Sequence, residues 1–295
     1  MTRDPRETRQ RGGKAPPRFH LGKAIANSKQ RGWPLVMAIL NVTPDSFSDG
    51  GRYAGASSAV EQALSFVAQG ADIIDVGGES TRPGARAADI DEELARVIPV
   101  IEGIRKAGNT PISIDTSKTE VMRAAAAAGA DVINDVRALS ARGAMQRAAQ
   151  LQLPVVLMHM LGEPATMQQK PHYHDVVAQV RTYLVDRAAQ CEHAGISKLQ
   201  IVLDPGFGFG KNVQHNLSLL KHLDMLCEAG YPVLAGLSRK SMIGKLLDRD
   251  VAQRMPASIA LALEAASRGA SIIRVHDVAA TIDALKMRAP VASAS

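Results

Sequence analysis

The fold class that the sequence predicts is α/β, built as a single (β/α)8 TIM barrel. Short apolar runs recur along the chain, and each ends in polar residues that precede a stretch with helical spacing. Eight such units fit within about 250 residues, the ordinary length of this barrel, and no change of composition separates them. We therefore expect one domain over residues 33–290, with a doubly wound open sheet as the structural alternative.

Residues 35–40 predict the first strand, because they are apolar without the alternation expected of a strand that faces water on one side. Pro44 and two glycines after it disfavour a helix there, so a loop begins at Asn41. Residues 57–70 then place apolar side chains at helical spacing, and Gly70 is suited to end that helix. These elements form the first βα unit.

The same order of strand, polar tip and helix repeats through the rest of the chain. Further strands are predicted at residues 72–76, 111–114, 131–133, 154–158, 199–203, 231–235 and 271–273. Helices are predicted at residues 91–107, 118–128, 175–194 and 278–287, where apolar residues recur on one face. The strands predicted in this way match the eight of a TIM barrel.

Charge is concentrated before the first strand. Residues 1–32 hold nine Lys or Arg against two acidic residues, whereas the rest of the chain is almost neutral. We expect a flexible basic leader over residues 1–32 and a frayed tail over residues 291–295. Because the folded part has no basic stripe interleaved with aromatic residues, nucleic acid is not an expected partner.

Apolar runs and cysteines indicate the compartment. No run has the length of a membrane span, and the leader lacks the apolar segment of a secretory signal. A cytoplasmic protein without a membrane partner is therefore expected. Cys191 and Cys227 lie far apart in helix-like stretches, which argues against a disulfide framework or a zinc site.

Polar residues concentrate at or just after the predicted strand ends. They are Asn41, Asp75, Asp115, Asn134, His159, Asp204, Lys240, Arg274 and His276. Because the carboxyl ends of barrel strands meet on one face, where barrel enzymes have their active sites, these side chains are expected to converge. Each alone could be a structural polar group, such as a helix cap, but all of them together favour a functional site.

Asp115, Asn134 and Asp204 have the chemistry to hold a flat heterocycle. A carboxylate accepts two hydrogen bonds from adjacent ring NH and amino groups, and an amide both donates and accepts. This trio suits a guanine-like or pterin-like ring. Phe207 or Phe209 would supply an apolar wall for it.

The glycine-rich segment 204–211 resembles a nucleotide phosphate loop only superficially. Its glycines lack the required spacing, and Asn212 stands where Ser or Thr is needed. These glycines are better suited to let the backbone approach a ligand, and simple turn packing is the alternative.

A second group of residues is rich in hydrogen-bond donors and cations. Its members are Asn41, Thr81, Arg82, Arg274 and His276. They suit a phosphate or diphosphate that carries a divalent metal. A diphosphate in such a site implies a leaving group.

Seven segments indicate a family resemblance. Residues 41–51, 75–84, 114–117, 133–135, 204–211, 238–241 and 274–277 are similar to bacterial dihydropteroate synthase. The resemblance runs from about residue 35 to about residue 287, and its segments follow in order at the predicted strand ends. The basic leader lies outside it.

The resemblance implies condensation of (7,8-dihydropterin-6-yl)methyl diphosphate with 4-aminobenzoate to give 7,8-dihydropteroate and diphosphate, a step of folate biosynthesis. It also implies a homodimer that has these small molecules as partners and Mg²⁺ as cofactor. The residues that would hold the pterin are Asp115, Asn134, Asp204 and Lys240. Those that would hold the diphosphate are Thr81, Arg82, Arg274 and His276, with Asn41 on the Mg²⁺.

The expected chemistry is a dissociative, SN1-like loss of diphosphate, because an arylamine is already nucleophilic. Asp45, Arg82 and Lys240 are the expected catalytic residues, with Asp45 stabilising the cation left on the pterin methylene. Ser241 would lie beside the aminobenzoate, and loops at residues 43–51 and 80–84 would close over the site. Methyl transfer from a folate to a corrinoid protein and non-catalytic pterin binding are the functional alternatives.

Overall fold

The computed structural model describes residues 19–43, 51–80, 86, 88–163 and 166–294. Its strands are β1 Leu35–Asn41, β2 Ile73–Gly77, β3 Ile112–Asp115, β4 Val132–Asp135, β5 Val155–Met158, β6 Ile201–Asp204, β7 Leu234–Ala235 and β8 Ile272–Val275. Its helices are α1 Leu21–Arg31, α2 Gly51–Ala68, α3 Ile90–Ala107, α4 Thr119–Ala128, α5 Ala144–Leu151, α6 Val176–His193, α7 Val213–Lys221, α8 Leu223–Cys227, α9 Ser241–Leu247, α10 Met255–Ser267 and α11 Val278–Ser293. Short 3-10 helices lie at Lys198–Gln200 and Val251–Gln253.

The eight strands form one parallel sheet in the order β6-β5-β4-β3-β2-β1-β8-β7. The two edge strands meet where Leu203 of β6 pairs with Val233, the residue before β7. The backbone N–H of Leu203 also donates to the carbonyl of Pro232 at 2.9 Å. The sheet therefore closes on itself, which confirms the predicted (β/α)8 barrel over the open sheet.

Strand side chains alternate between the two faces of the barrel wall. In β1, Val36 and Ala38 are buried in the shell between the sheet and the helices. The other cluster of buried residues fills the interior near the amino ends of the strands, and its strand members are Leu35, Met37, Ile73, Val132, Val156, Val202, Leu234 and Ile272. Burial on both faces explains why the strand sequences are apolar without alternation.

Helix α1 covers the amino end of the barrel. Its Leu21 and Ile25 are buried and pack with the interior cluster. Its last residue, Arg31, donates two hydrogen bonds of 2.7 and 2.6 Å to the two carboxylate oxygens of Asp72, just before β2. These contacts attach α1 to the first βα unit.

Residues 21–31 differ from the prediction of a flexible leader over residues 1–32, because they form α1. The buried positions Leu21, Ile25 and Ser28 have helical spacing, but the lysines and arginine of the same helix gave the stretch the composition of a solvated tail. Residues 1–18 of the predicted leader lie outside the described residues.

Two other helices extend beyond their predicted bounds. Helix α2 begins at Gly51 rather than at residue 57, and α11 continues past residue 287 to Ser293. Pro290 does not end α11, although proline usually marks a helix boundary. It lies in the last turn, where only three residues of the helix follow it. Residues 291–293 of the predicted frayed tail are therefore helical.

In the described part of the chain no helix is long and apolar enough to cross a membrane.

Candidate active site

The register of the sheet places predicted site residues side by side. Asn41 at the end of β1 is paired with Gly77 of β2, which is paired in turn with Asp115 of β3. Asp115 is then paired with Asn134 of β4. Since Gly77 has no side chain, the polar groups on either side approach each other across it: a Cβ there would lie 3.9 Å from Asn41 Oδ1 and 3.8 Å from Asp115 Oδ2.

A cleft of about 360 Å³ opens at this end of the barrel. Its lining residues are Asp115, Asn134, Val136, Met158, Asp204, Gly206, Phe207, Phe209, Gly236, Lys240 and Arg274. The cleft brings together the residues that the sequence assigns to a flat ring, and it also contains Arg274.

Arg274 of β8 lies between two carboxylates. Its Nε donates to Asp75 Oδ2 at 2.6 Å, and its Nη2 donates to Asp115 Oδ2 at 2.9 Å. Burial acts against the charge of this guanidinium, but attraction to the two carboxylates outweighs burial and raises the pKa of Arg274. The sequence grouped Arg274 with the diphosphate residues, whereas the structure places it inside the ring-binding cleft.

Asp204 ends β6 and is held by the turn that follows it. Its Oδ1 accepts a hydrogen bond from the backbone N–H of Gly206 at 2.7 Å. Gly206 has a φ of +67°, and a Cβ there would come within 2.0 Å of the His159 carbonyl oxygen. Only glycine satisfies both conditions, so the turn fixes the carboxylate at the wall of the cleft.

Lys240 and Phe209 form another wall of the cleft. The Nζ of Lys240 lies 4.3 Å from the centroid of the Phe209 ring, a cation–π contact. Gly208 brings the loop close, because a Cβ there would lie 3.2 Å from Lys240 Cδ. The Gly208 backbone N–H in turn donates to Asn216 Oδ1 at 2.7 Å, which attaches the loop to α7. Of the two candidate phenylalanines, Phe207 is fully buried.

Burial changes the pKa values of the ring-binding groups in opposite directions. It raises the pKa of Asp115 to about 7, although the guanidinium of Arg274 opposes the change. It also raises the pKa of Asp204, against the hydrogen bond from Gly206. Burial lowers the pKa of Lys240 to about 8, and repulsion from Arg274 adds to this. Asp115 and Lys240 therefore titrate close enough to neutral pH to respond to a bound ring.

His276 and Ser241 are the remaining described residues that the sequence assigned to substrate binding. The backbone N–H of His276 donates to Ser238 Oγ at 3.2 Å, and its Nδ1 lies 3.0 Å from the same hydroxyl. Burial, with repulsion from Arg274, lowers the pKa of His276 to about 4, so the ring is neutral at pH 7. It can offer a hydrogen bond to an anion but no charge. Ser241 begins α9 and is exposed next to Lys240.

Asn41 ends β1 with an amide oxygen, a ligand type that hard divalent cations accept. Among the described residues, no group of three His, Cys, Asp or Glu side chains is arranged to bind a metal ion. At substrate phosphates, Mg²⁺ is usually held by few protein oxygens, together with phosphate oxygens and water. The residues present fit an ion that arrives with a diphosphate.

Three predicted site residues, Asp45, Thr81 and Arg82, lie outside the described residues, as does most of both predicted loops. The described residues beside the second loop form an ion-pair cluster, in which Lys118 Nζ contacts the carboxylates of Glu79 and Glu93. This cluster attaches the residues before the loop to α3 and α4.

Two buried residues near the cleft had no role assigned from the sequence. Asp75 accepts a hydrogen bond from the Asn134 amide at 3.0 Å. Lys211 Nζ donates to the Phe209 carbonyl at 2.9 Å and lies 3.0 Å from His159 Nδ1, so His159 contacts this lysine and is absent from the cleft lining. A charge in the middle of an apolar strand marks Asp75 in the sequence, whereas Lys211 follows a glycine-rich loop and carries no such signal.

A TIM barrel with carboxylates, an amide and a lysine around space for one flat ring defines the class of pterin-binding barrel proteins. Residues 37–276 match the model of the family described as pterin binding enzyme. The dihydropteroate synthase of Escherichia coli strain K12 is 54% identical over 254 residues, covering 86% of this chain and 90% of that protein. The chain therefore belongs to the dihydropteroate synthase family.

Solved structures from Xanthomonas albilineans are similar to the whole barrel. Dihydropteroate synthase with 4-aminobenzoic acid has a TM-score of 0.85 at 54% identity, over 90% of this chain and 95% of that one. The enzyme in complex with 7,8-dihydropteroate has a TM-score of 0.82 at 51% identity, over 90% of this chain and 96% of that one.

Proposed function

We propose that this chain condenses (7,8-dihydropterin-6-yl)methyl diphosphate with 4-aminobenzoate to give 7,8-dihydropteroate and diphosphate. The observation that carries this conclusion is the cleft itself, in which acceptors and donors for one flat ring converge at the carboxyl ends of the strands. The similar Xanthomonas albilineans enzyme binds 4-aminobenzoic acid and 7,8-dihydropteroate, which are a substrate and the product of this reaction. Neither methyl transfer nor non-catalytic binding has comparable support.

Four side chains would hold and orient the pterin. The carboxylates of Asp204 and Asp115 offer acceptors to amino and ring NH groups, and the amide of Asn134 adds a further contact. Lys240 would donate to a ring heteroatom, while the Phe209 ring covers one face of the pterin. Burial raises the pKa values of Asp115 and Asp204 because it removes water from their carboxylates. The N–H donors of a bound pterin would replace that water.

The diphosphate would lie towards Asn41 and His276. His276 would donate a hydrogen bond as a neutral imidazole, and Thr81 with Arg82 would complete the contacts. When bound at Asn41, Mg²⁺ would neutralise charge that develops on the leaving diphosphate. Arg274, fixed by its carboxylate partners, would keep positive charge at this end of the cleft without needing to move.

Loss of the leaving group precedes attack in the proposed reaction. The bond between the pterin methylene carbon and the diphosphate oxygen breaks, and the electron pair leaves with the diphosphate. Asp45 would stabilise the methylene cation. The arylamine nitrogen then attacks this carbon beside Ser241 and releases a proton to water, so the protein forms no covalent intermediate. Exclusion of water from the cleft would protect the cation from hydrolysis.

We also propose a homodimer and a cytoplasmic location, as the family resemblance implies. Light scattering of the purified chain would give twice the monomer mass in the first case. Fractionation of cells that express the chain would test the second.

Diphosphate release is the direct test of the proposed function. The purified full chain is incubated with the pterin diphosphate, 4-aminobenzoate and Mg²⁺, and both diphosphate and 7,8-dihydropteroate are followed. Equal release of the two products, dependent on both substrates, is expected. Pterin binding without any diphosphate release would favour a non-catalytic pterin-binding protein. Methyl transfer from a folate to a corrinoid protein would favour a methyltransferase.

A further inference from the structure

Asp75 is a fully buried carboxylate on the interior face of β2, two residues beyond the apolar Ile73. A buried charge is costly unless it is paired and hydrogen-bonded. Asp75 is absent from the lining of the cleft, whereas Asn134 and Arg274, which contact it, are part of that lining. The role of Asp75 is therefore to be found in its hydrogen-bond partners.

One carboxylate oxygen of Asp75 accepts all the side-chain hydrogen bonds that this residue makes among the described residues. Asp75 Oδ2 accepts from Arg274 Nε at 2.6 Å and from Asn134 Nδ2 at 3.0 Å, whereas Oδ1 is buried without a partner there. Both donors belong to residues that line the cleft. A single atom thus connects two walls of the site.

The contact determines which way the Asn134 amide faces. Asn134 Nδ2 donates to Asp75 Oδ2, so the NH₂ group of Asn134 faces Asp75 and its carbonyl oxygen faces away. Since Asn134 lines the cleft, this oxygen is the atom available to a ring donor. Without Asp75 the amide could rotate and present a donor instead.

The contact with Arg274 has a second consequence. The same guanidinium bridges Asp75 and Asp115, so the two carboxylates share one positive charge. The charged groups that face Asp115 from the surrounding elements, with Lys240 in the same cleft, are Arg274, Asp75, Asp135 and Glu93. Removal of the Asp75 charge would leave more of the guanidinium to Asp115.

We propose that Asp75 is a positioning residue for pterin recognition, which orients the Asn134 amide with its oxygen towards the ring and divides Arg274 between itself and Asp115. This inference rests on the proposed function. It makes the cleft selective for a ring with an N–H donor opposite Asn134. It also couples the affinity for pterin to the protonation of Asp115.

The test is a double-mutant cycle on pterin affinity. We expect Asp75→Asn to weaken pterin binding roughly 10- to 100-fold, and Asn134→Ala to do the same. If Asp75 acts through Asn134, Asp75→Asn should cost much less in the Asn134→Ala background. Calorimetry with 6-hydroxymethylpterin as the probe measures each affinity. Full additivity of the two effects would overturn the proposal.

A pH profile separates positioning from a merely structural role. Burial and the Asp75 charge both raise the pKa of Asp115, so pterin affinity in the wild type should fall below about pH 7 as Asp115 is protonated. In Asp75→Asn one of these causes is absent, and the acid limb should move to lower pH. An acid limb at the same pH in both proteins would count against the shared guanidinium.

Ser113→Ala is the matched control. Ser113 is paired with Asp75 in the sheet and is equally buried, but its hydroxyl has no partner among the described residues. We expect unchanged pterin affinity. If Asp75→Asn does not fold, Asn134→Asp replaces it: two facing carboxylates should weaken binding, with a deficit against wild type that shrinks as pH falls. A pH-independent deficit would overturn the proposal.

The reference measurement is pterin binding by the wild type. If the wild type does not bind the probe, the proposed function fails. If it binds and Asp75→Asn binds equally well, only the role of Asp75 fails.

Discussion

The two ends of the barrel are built from the same strands and have opposite chemistry. On four strands the interior position near the amino end is apolar and the position two residues further on is polar. These pairs are Ile73 and Asp75, Val132 and Asn134, Val202 and Asp204, and Ile272 and Arg274. A step of two residues keeps a side chain on the same face and moves it by roughly 7 Å along the strand. One interior face therefore supplies both a core and a binding site.

Burial has opposite consequences at these two ends. At the amino end Leu21 and Ile25 of α1 close the barrel, and a buried aliphatic side chain contributes about 1.5–3 kcal/mol. At the carboxyl end burial opposes the charged forms of Asp115 and Lys240 and shifts both pKa values towards neutrality. The apolar end therefore stabilises the fold, and this stability offsets the cost of burying charged groups at the carboxyl end. Changes at the two ends should accordingly separate into effects on stability and effects on function.

Removal of divalent metal should have the largest effect, and only at the carboxyl end. We expect turnover to fall by roughly 10³-fold or more with a chelator, because several kcal/mol of charge stabilisation on the diphosphate are lost. Pterin binding and the melting temperature should change little, since the ring contacts and the core do not involve the metal. Steady-state rates, calorimetry and thermal melts measure the three. Unchanged turnover without metal would remove Asn41 as a metal ligand, and added Mg²⁺ should restore the rate.

Substitutions two residues apart on β6 test the separation directly. Asp204→Ala should weaken pterin binding by about 2–3 kcal/mol, because ring donors lose a charged acceptor in a buried cleft. Val202→Ala should leave pterin affinity nearly unchanged but lower the free energy of unfolding by roughly 1–3 kcal/mol. Calorimetry and urea unfolding on both variants decide the matter. A similar loss of pterin affinity in both would show that the two ends are not independent.

Helix α1 offers the converse experiment. Ile25→Ala should lower the free energy of unfolding by about 2–4 kcal/mol, because it opens a cavity under the barrel. The kcat/KM of the folded enzyme should not change. Lys23→Ala, on the exposed side of the same helix, is the control and should alter neither quantity. A lower kcat/KM in Ile25→Ala at full folding would connect the amino end to the site.

Much of the barrel could be predicted because strand apolarity and helical spacing are local signals. The strand-end rule also identified Asp115, Asn134, Asp204 and Lys240, which all line the cleft. The same rule placed Arg274 at the cleft, but its ion pairs could not be predicted, because the carboxylate partners lie 199 and 159 residues away in the chain. Local composition likewise concealed α1, which has only three buried positions among otherwise small, polar or basic residues. Which side chains meet across distant strands depends on the strand register, and the register cannot be derived from local sequence patterns.

Lys240→Met should produce the smallest effect on stability and the most discriminating one. The lowered pKa of Lys240, about 8 instead of its ordinary 10.5, means that the native state binds this proton less tightly than the unfolded chain does. The buried ammonium therefore destabilises the fold below pH 8, and this cost is relieved as pH rises from 8 towards 10.5.

Methionine has similar length and no charge, so Lys240→Met should be more stable than wild type by about 1 kcal/mol at pH 7. Loss of the contact with the Phe209 ring, worth about 2 kcal/mol when the cation is desolvated, offsets part of the gain. The advantage should shrink between pH 8 and 9.5, while turnover is lost at every pH because the pterin loses its donor. Urea unfolding at pH 7, 8 and 9.5 measures the stability difference. A variant less stable than wild type at pH 7 would show that Lys240 supports the fold as well as the site, and the separation between the two ends would then fail at this residue.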